Sequence, residues 1–209
     1  MKTTTKLLLA TAMLCAASAP AFADEVSSGN MYASLSAGVI APEDIDVTAG
    51  IATGTFSFDT GYTASAAVGT WLNDNLTIEG EVTYLSADFD ELEVLGTSAA
   101  VDGDFSSTLL LANAAYHFGG KGGSIDPYVG AGVGAAFSKL SVDSIGGVPL
   151  NTSDSATDMA AQLSAGLSLN LSSGVSVGAE YRFLYIDSGT DDTDGFSGHN
   201  LTANVTFAF

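Results

Sequence analysis

The chain has 209 residues, of which 24 are acidic and 5 are basic, so its formal net charge is −19 at pH 7. A charge of this size repels phosphates, which makes nucleic acids and anionic membrane surfaces poor partners. Hydrophobic residues make up 46% of the chain and the mean hydropathy is +0.31, too apolar for a disordered acidic protein. The 24 glycines favour a turn-rich β fold over long helices.

The N-terminal residues have the pattern of an export signal. Lys2 and Lys6 supply a positive end, residues 7–17 an apolar core, and Ala21-Phe22-Ala23 a small-x-small cleavage site. The apolar run is well short of the roughly 20 residues that a membrane-spanning helix needs. Cleavage after Ala23 also removes the one cysteine, so the exported product forms no disulfide. We predict a signal peptide over residues 1–23 and a single domain over residues 24–209.

After the signal, apolar residues recur at every second position, which is typical of β-strands with one apolar face. In the segment from Leu201 to Phe209, for example, the odd positions are Leu, Ala, Val, Phe and Phe, whereas the even positions are Thr, Asn, Thr and Ala. The same pattern predicts eight strands, at residues 31–39, 56–68, 76–84, 110–118, 129–137, 159–171, 175–185 and 201–209.

The segments between the predicted strands are alternately short and long. Short turns rich in Asn, Asp, Gly and Ser are predicted at residues 73–75, 119–124 and 172–174. Long loops are predicted at residues 41–54, 88–104, 139–157 and 187–195. This alternation over an even number of strands predicts an all-β fold, an eight-stranded antiparallel transmembrane β-barrel with short periplasmic turns and longer extracellular loops.

A soluble eight-stranded barrel of the lipocalin type would show the same alternation, with its apolar face turned inward. The polar face distinguishes the two folds. A face in bulk water should carry abundant Lys and Glu, yet this one is mostly Gly, Ser, Thr, Asn and Ala, which suits a crowded interior. Aromatic residues near the strand ends suit an interfacial belt, at Tyr84, Phe118, Phe137, Tyr185 and Phe207. The transmembrane barrel is therefore the preferred interpretation.

Three stretches carry a resemblance to a known family: Asp126-Pro127-Tyr128-Val129-Gly130-Ala131-Gly132, Gly178-Ala179-Glu180-Tyr181-Arg182-Phe183 and Phe207-Ala208-Phe209. With the export signal and eight strands, they resemble the small outer-membrane barrels that include OmpA-type, OmpX-type and opacity-like porins. The terminal Leu201-x-Ala203-x-Val205-x-Phe207-x-Phe209 resembles the aromatic signature that the barrel-assembly machinery recognises in that family. The resemblance therefore implies an assembly signal that contains Phe207 and Phe209.

The same resemblance implies where the chain resides and what it meets there. We expect a location in the bacterial outer membrane, contact with outer-membrane lipid, and contact with periplasmic chaperones and the barrel-assembly machinery during biogenesis. A closed barrel has no free strand edge to satisfy by association, so we expect a monomer.

Charged residues on two polar faces predict an ion network inside the barrel. Glu79 and Glu81 share the polar face of the third strand, and Glu180 and Arg182 share that of the seventh. These strands lie opposite each other, across an interior just wide enough for side chains to meet. His117 has the same polar parity and is interpreted as a lining residue. Buried charges need partners, so a structural network is expected first, while its acidic excess would make any current cation-selective.

Fifteen of the 24 acidic residues fall in the four predicted long loops, where Lys139 is the only base. A solvated acidic surface is the simpler interpretation. The alternative is divalent-cation binding by Asp88-x-Asp90-Glu91-x-Glu93 or Asp191-Asp192-x-Asp194, because hard cations prefer several carboxylate oxygens. Neither cluster has the spacing of an EF-hand. Both interpretations stay open at this point.

The sequence shows no motif of an enzymatic barrel. Lipid A deacylases resemble one another in a His-x-Ser pair, but His117 precedes Phe-Gly and His199 precedes Asn-Leu. Ser197 and His199 share a strand face, yet residues two apart lie roughly 7 Å from each other, beyond hydrogen-bond reach. We therefore predict a non-enzymatic barrel without cofactor or metal, with a structural or surface-interaction role. A narrow cation-preferring diffusion porin and an adhesin or surface antigen are the alternatives.

Overall fold

The computed structural model describes residues 30–49, 52–94, 97–172, 174–188 and 195–209, so the predicted signal peptide lies outside the described residues. Every regular element in these ranges is a β-strand, and none of the described residues forms a helix long and apolar enough to span a membrane. The strands are β1 (Met31–Pro42), β2 (Ile45–Ala49), β3 (Ala52–Phe58), β4 (Gly61–Trp71), β5 (Leu76–Val94), β6 (Thr97–His117), β7 (Ile125–Ile145), β8 (Val148–Ser172), β9 (Val175–Ile186) and β10 (Phe196–Ala208).

Eight of these strands close into a barrel. Strands β4 to β10 pair antiparallel in chain order, and β1 closes the ring by pairing with both β4 and β10. The remaining two strands, β2 and β3, form a hairpin outside the ring, in which β3 pairs with the far end of β5. The predicted all-β, eight-stranded antiparallel barrel is confirmed.

The apolar face of the strands points out of the barrel and the polar face points in. On β5, Val82 is 49% exposed and Tyr84 is 42% exposed, whereas Glu81 is 3% exposed and Thr83 is 5% exposed. A soluble barrel of the lipocalin type would bury Val82 and expose Glu81. The orientation is therefore the one a transmembrane barrel requires, with an apolar wall facing lipid.

Three of the four predicted long loops are wrong, because they are largely strand. Residues 88–104 contain the ends of β5 and β6, residues 139–157 form a hairpin of β7 and β8, and residues 41–54 contain β2 and the start of β3. Residues 148–157 of β8 are exposed on both faces, so period-two alternation disappears there while backbone pairing continues. In β5 and β6 the alternation instead changes sides, because Phe89 and Val101 point into the apolar interior while Asp88, Asp90 and Asp102 are exposed. In the fourth predicted loop, at 187–195, the central residues 189–194 lie outside the described part of the chain.

The predicted second strand over residues 56–68 is also wrong, because it is two strands, β3 and β4. Asp59 and Thr60 belong to neither strand, and at these two residues the chain passes from the outer hairpin into the barrel wall. The apolar parity continues across this step, from Phe56 and Phe58 to Tyr62 and Ala64, which is why the sequence pattern did not separate the two strands.

The barrel interior divides into a polar half near the short turns and an apolar half near the long hairpins. The apolar half is a contiguous cluster, here called the apolar plug, formed by Ile40, Leu85, Phe89, Val101, Phe105, Leu109, Leu111, Ala136, Ala160, Leu184, Ile186 and Phe196. The β2–β3 hairpin packs on it, with the Phe58 ring centroid 4.8 Å from that of Phe89 and 5.8 Å from that of Phe196. The interior of the hairpin end is therefore filled with side chains.

Candidate functional site

Arg182 lies at the centre of the charges in the barrel interior and binds a carboxylate on either side. Its Nη1 is 2.5 Å from Glu81 Oε1, and its Nη2 and Nε are 2.8 and 2.9 Å from Glu180 Oε2. None of the three side chains is more than 8% exposed. Glu81 on β5 and Arg182 on β9 are 101 residues apart in the chain, so the closure of the barrel brings them together.

Glu79 belongs to the same network but is held by neutral partners. Tyr32 Oη donates to Glu79 Oε2 at 3.1 Å, and Asn113 Nδ2 donates to Glu79 Oε1 at 3.1 Å and to Glu81 Oε2 at 2.8 Å. Asn113 Oδ1 in turn accepts from Gln162 Nε2 at 2.9 Å. The lumenal charge network, formed by Glu79, Glu81, Glu180 and Arg182, therefore carries three carboxylates and one guanidinium.

The charged members of this network were predictable from the sequence, whereas its neutral members were not. Tyr32, Asn113 and Gln162 lie on the polar faces of β1, β6 and β8, so their parity was visible in the sequence. Nothing in the sequence distinguished them from the other small and polar residues on those faces. Closure of the barrel brings these three side chains within hydrogen-bond distance of Glu79, Glu81 or one another.

The structure does not bring His117 into the lumenal charge network; its contacts lie near the short turns. His117 Nδ1 is 2.6 Å from Asp126 Oδ2, and His117 Nε2 is 3.2 Å from Thr77 Oγ1. The imidazole centroid lies 4.6 Å from the Trp71 ring and 5.2 Å from the Tyr128 ring. The Asp126 carboxylate also accepts the Gly119 backbone N–H at 2.9 Å, so this cluster fastens the β6–β7 turn to the barrel wall.

A polar cavity of about 550 Å³ lies between the lumenal charge network and the short turns. Its lining includes all four charged residues of the network, His117 and the turn residues 120–122. On the other side of the network the apolar plug begins, since Leu111 pairs directly with Glu81 across the β5–β6 ladder. The cavity is therefore a vestibule at the short-turn end, bounded by the apolar plug, and its lining carries four carboxylates, with Asp126 as the fourth, against Arg182 and Lys121.

The two terminal aromatic residues lie where the ring closes. Phe207 pairs with Ala33 of β1 and with Val175 of β9. The Phe209 backbone N–H donates to Met31 O at 2.9 Å, and the Phe209 side chain is 48% exposed. Both aromatic residues are thus at the short-turn end of the strand that completes the barrel. Their role in assembly stays a prediction.

A second polar cluster lies on the outer wall at the hairpin end. Ser197 Oγ donates to Glu43 Oε2 at 2.5 Å, Glu43 Oε1 is 3.3 Å from His199 Nε2, and Tyr181 Oη is 2.7 Å from His199 Nδ1. The hydrogen bond from Ser197, and then the nearby His199, hold the pKa of Glu43 below its ordinary value. The carboxylate lies between the hydroxyl and the imidazole, whereas a hydrolase with a serine nucleophile needs the imidazole next to the hydroxyl.

The acidic segments of the predicted loops are mostly carried by strands. Asp88 of β5 and Asp104 of β6 lie directly opposite each other, while residues 191–194 are outside the described part of the chain. Among the described residues, no three His, Cys, Asp or Glu side chains are grouped as metal ligands. Divalent-cation binding by these segments stays a prediction.

Comparisons with known proteins place this architecture in a family. Residues 7–209 match the family described as "Outer membrane protein beta-barrel domain", while no curated protein matches the chain. Neisserial surface protein A (NspA) is 19% identical, with a TM-score of 0.55 over 86% of this chain and 97% of NspA. OprG from Pseudomonas aeruginosa is 11% identical, with a TM-score of 0.55 over 87% and 97%. The outer membrane protease OmpT from Escherichia coli is 8% identical, with a TM-score of 0.51 over 89% and 99%.

Proposed function

The chain belongs to the outer membrane protein β-barrel domain family, and we propose that it is a non-enzymatic surface-interaction protein with a closed lumen. It lies in the bacterial outer membrane. In barrels of this class the short turns face the periplasm and the longer connections face the outside. One observation carries the proposal: the apolar plug fills the outer half of the lumen, while the hairpins beyond it form an exposed acidic sheet.

The composition of the apolar plug supports a closed lumen. Ile40, Leu85, Leu109 and Ala136 are fully buried in it, and the aromatic rings of Phe105 and Phe196 stack with centroids 4.5 Å apart. A hydrated ion that entered this region would lose water molecules without gaining polar ligands in their place, which costs several kcal/mol. Apolar constrictions of this kind close pores by excluding water.

The outer hairpins support a surface-interaction role. The β7–β8 hairpin continues beyond the last residue of β9, and the side chains of residues 148–157 are all exposed. Exposed carboxylates on this sheet include Asp88, Asp90, Asp102 and Asp143. Side chains on paired strands keep a fixed arrangement, which is what a partner surface can recognise repeatedly. This makes an adhesin or surface antigen the form of the proposal that the hairpins favour.

The experiment is a trimmed barrel in which Asn-Gly replaces residues 139–155, so that a two-residue turn closes the hairpin at the Ser138–Ala156 pair. Full-length and trimmed chains are displayed on a non-adherent Gram-negative strain, and adherence to epithelial-cell layers is counted. We expect adherence from the full-length chain and its loss on trimming, with equal amounts of heat-modifiable barrel in both strains. Adherence that is absent from the full-length strain, or unchanged by trimming, overturns the role assigned to this hairpin.

The polar cavity favours one competing function, the narrow cation-preferring diffusion porin. Four carboxylates against the cationic side chains of Arg182 and Lys121 give the vestibule the acidic excess that attracts cations. That function also requires a continuous water path past Leu85 and Leu109. Conductance measurements distinguish the two functions.

A further inference from the structure

The vestibule at the short-turn end is large enough to hold a small molecule. Its volume of about 550 Å³ lies in the range of ligand pockets, which form preferentially in places that include the mouths of β-barrels. The space is open because the lining includes small residues, among them Ser34, Ala67, Gly130 and Ser164. Turn residues 120–122 also belong to the lining, so the mouth of the vestibule lies at the short-turn end.

Three of the four carboxylates in the lining already have a basic partner. Arg182 binds both Glu81 and Glu180. Asp126 Oδ2 lies 2.6 Å from His117 Nδ1. These contacts fix the three carboxylates to the barrel wall and leave them little attraction for a ligand.

The fourth carboxylate, Glu79, has no cationic partner among the described residues. Its two oxygens accept hydrogen bonds from neutral groups, Tyr32 Oη and Asn113 Nδ2, each at 3.1 Å. The remaining base of the lining, Lys121, donates from its Nζ to Asn30 Oδ1 at 2.6 Å. A carboxylate accepts about four hydrogen bonds, so Glu79 has room for two more from a ligand in the vestibule.

Glu79 faces the open part of the vestibule, together with aromatic rings. It lies nearer the short turn on β5 than Glu81, and its side chain is partly exposed whereas Glu81 is buried. The rings of Trp71, Tyr32 and Tyr128 line the same space. Faces of aromatic rings attract cations through their quadrupole. The vestibule thus combines an uncompensated carboxylate with aromatic surface.

We propose that the vestibule binds a small organic amine, whose ammonium group binds Glu79 and whose carbon chain lies against the aromatic rings. An ammonium group supplies three N–H donors and the positive charge that Glu79 lacks. A hard divalent cation fits less well, because it needs about six oxygen ligands or more, and among the described residues no three acidic, His or Cys side chains are grouped as metal ligands. This site goes beyond surface interaction, since the short turns face the periplasm.

The test follows Trp71, which is the one tryptophan of the chain and lines the vestibule. The refolded protein in nonionic detergent micelles is titrated with n-butylamine at neutral pH, where the amine is protonated, and tryptophan fluorescence is recorded. n-Butanol and sodium butyrate serve as the neutral and anionic analogues of the same chain length. Potassium chloride serves as the inorganic cation.

The variant Glu79→Gln keeps the shape of the side chain and removes its charge. The matched control is Glu93→Gln, which makes the same change on the same strand at an exposed position outside the vestibule. We expect n-butylamine to give a saturable change in fluorescence. Glu79→Gln should raise its Kd about tenfold or more, because a charge-assisted hydrogen bond is lost, while Glu93→Gln binds as the wild type does. Heat-modifiable gel mobility verifies that each variant has folded.

We expect no saturable change with n-butanol, butyrate or potassium chloride. This comparison tests the amine class on the wild type, without any substitution. A folded wild type that gives no saturable change with n-butylamine, or the same change with n-butanol or potassium chloride, would overturn the proposal. So would a folded Glu79→Gln variant with an unchanged Kd. None of these results bears on the adherence experiment, which alters the opposite end of the barrel.

Discussion

Arg182 is the residue that compensates the buried carboxylates of the lumen. It binds both Glu81 and Glu180, and each of these side chains is nearly inaccessible to solvent. Removing one partner of a buried ion pair leaves an uncompensated charge and typically costs 3–5 kcal/mol. The network is therefore asymmetric: loss of the one guanidinium affects two carboxylates, whereas loss of one carboxylate leaves the other paired.

Arg182→Met should accordingly lower the free energy of unfolding by about 3 kcal/mol or more. The measurement is urea unfolding of the barrel in lipid vesicles, followed by tryptophan fluorescence. The triple variant Arg182→Met/Glu81→Gln/Glu180→Gln should recover part of the loss, because it removes the buried charges together. A loss below about 1 kcal/mol for Arg182→Met alone, in the range of a surface ion pair, would contradict this role.

Two glycines are required by tyrosine rings that lie over them on neighbouring strands. Tyr128 pairs with Gly166, and a Cβ added at Gly166 would lie 2.4 Å from Tyr128 Cζ; Tyr32 covers Gly69 in the same way. Gly166→Ala should therefore destabilise the barrel by about 1–3 kcal/mol through overpacking. Gly80→Ala is the matched control, since a Cβ there meets nothing within 4 Å. Equal unfolding midpoints in urea for the two variants would contradict the argument.

Glu43 gives the outer cluster a pH dependence with a defined sign. Its pKa is lowered from the ordinary value of 4.5, first by the hydrogen bond from Ser197 and then by His199. A depressed carboxyl pKa stabilises the fold above the unfolded-state value, and this contribution is lost as pH falls through the folded-state value. Urea midpoints of wild type and Glu43→Gln should therefore differ at neutral pH and converge at acidic pH. A difference that grows on acidification would contradict this assignment.

At the scale of the elements, the sequence predicted the strand faces that meet lipid and the interior. Glu79, Glu81, Glu180 and Arg182 were assigned to the lumen by parity alone, because a membrane barrel imposes strict alternation on its wall. The Glu43–Ser197 contact was not predictable from sequence, because 154 residues separate its partners and only the β1–β10 closure joins them.

The outer hairpins were missed because the pattern of the membrane wall does not continue into them. Residues 148–157 meet water on both faces, whereas in β5 and β6 the apolar residues Phe89 and Val101 point inward and the exposed face is acidic. One local signal was present. Gly146 and Gly147 adopt φ of +57° and +80°, as a two-residue hairpin turn demands, and a Gly-Gly pair between strands is typical of such turns. A search for turn residues inside the predicted loop at 139–157 would have indicated the β7–β8 hairpin.

The outer ends of β5 and β6 give a direct prediction at this scale. Residues 98–100 pair with residues 91–93 of β5, and Val101 pairs with Ile145 of β7, in ladders that extend well past the barrel wall. Their backbone amides should therefore exchange with deuterium more slowly than those of Gly120 and Gly122 in the short turn, whose N–H groups have no acceptor among the described residues, because paired amides exchange only on opening. Hydrogen exchange followed by mass spectrometry measures both. Equal, fast exchange at 98–101 would favour the loop that the alternation pattern predicted.

For the whole molecule, the lumen and the outer sheet differ in their access to the outside. The lumen is polar and acidic on the periplasmic side, then apolar and filled on the outer side. The outer sheet is exposed and acidic, and the outward face of the barrel wall is apolar. Because the lumen is closed and the acidic sheet above it is exposed, we expect the protein to contact its surroundings through the sheet and not through a pore.

Single-channel recording of the refolded barrel in planar bilayers tests this closed lumen most directly. Heat-modifiable mobility first verifies the folded state, and Leu85→Ala/Leu109→Ala serves as the variant in which the apolar plug is thinned. We predict no conductance steps from the wild type and cation-selective steps from the thinned variant, which Glu79→Gln/Glu81→Gln in the same background should make less selective. Reproducible cation-selective steps from the folded wild type would contradict the closed lumen and support a narrow porin.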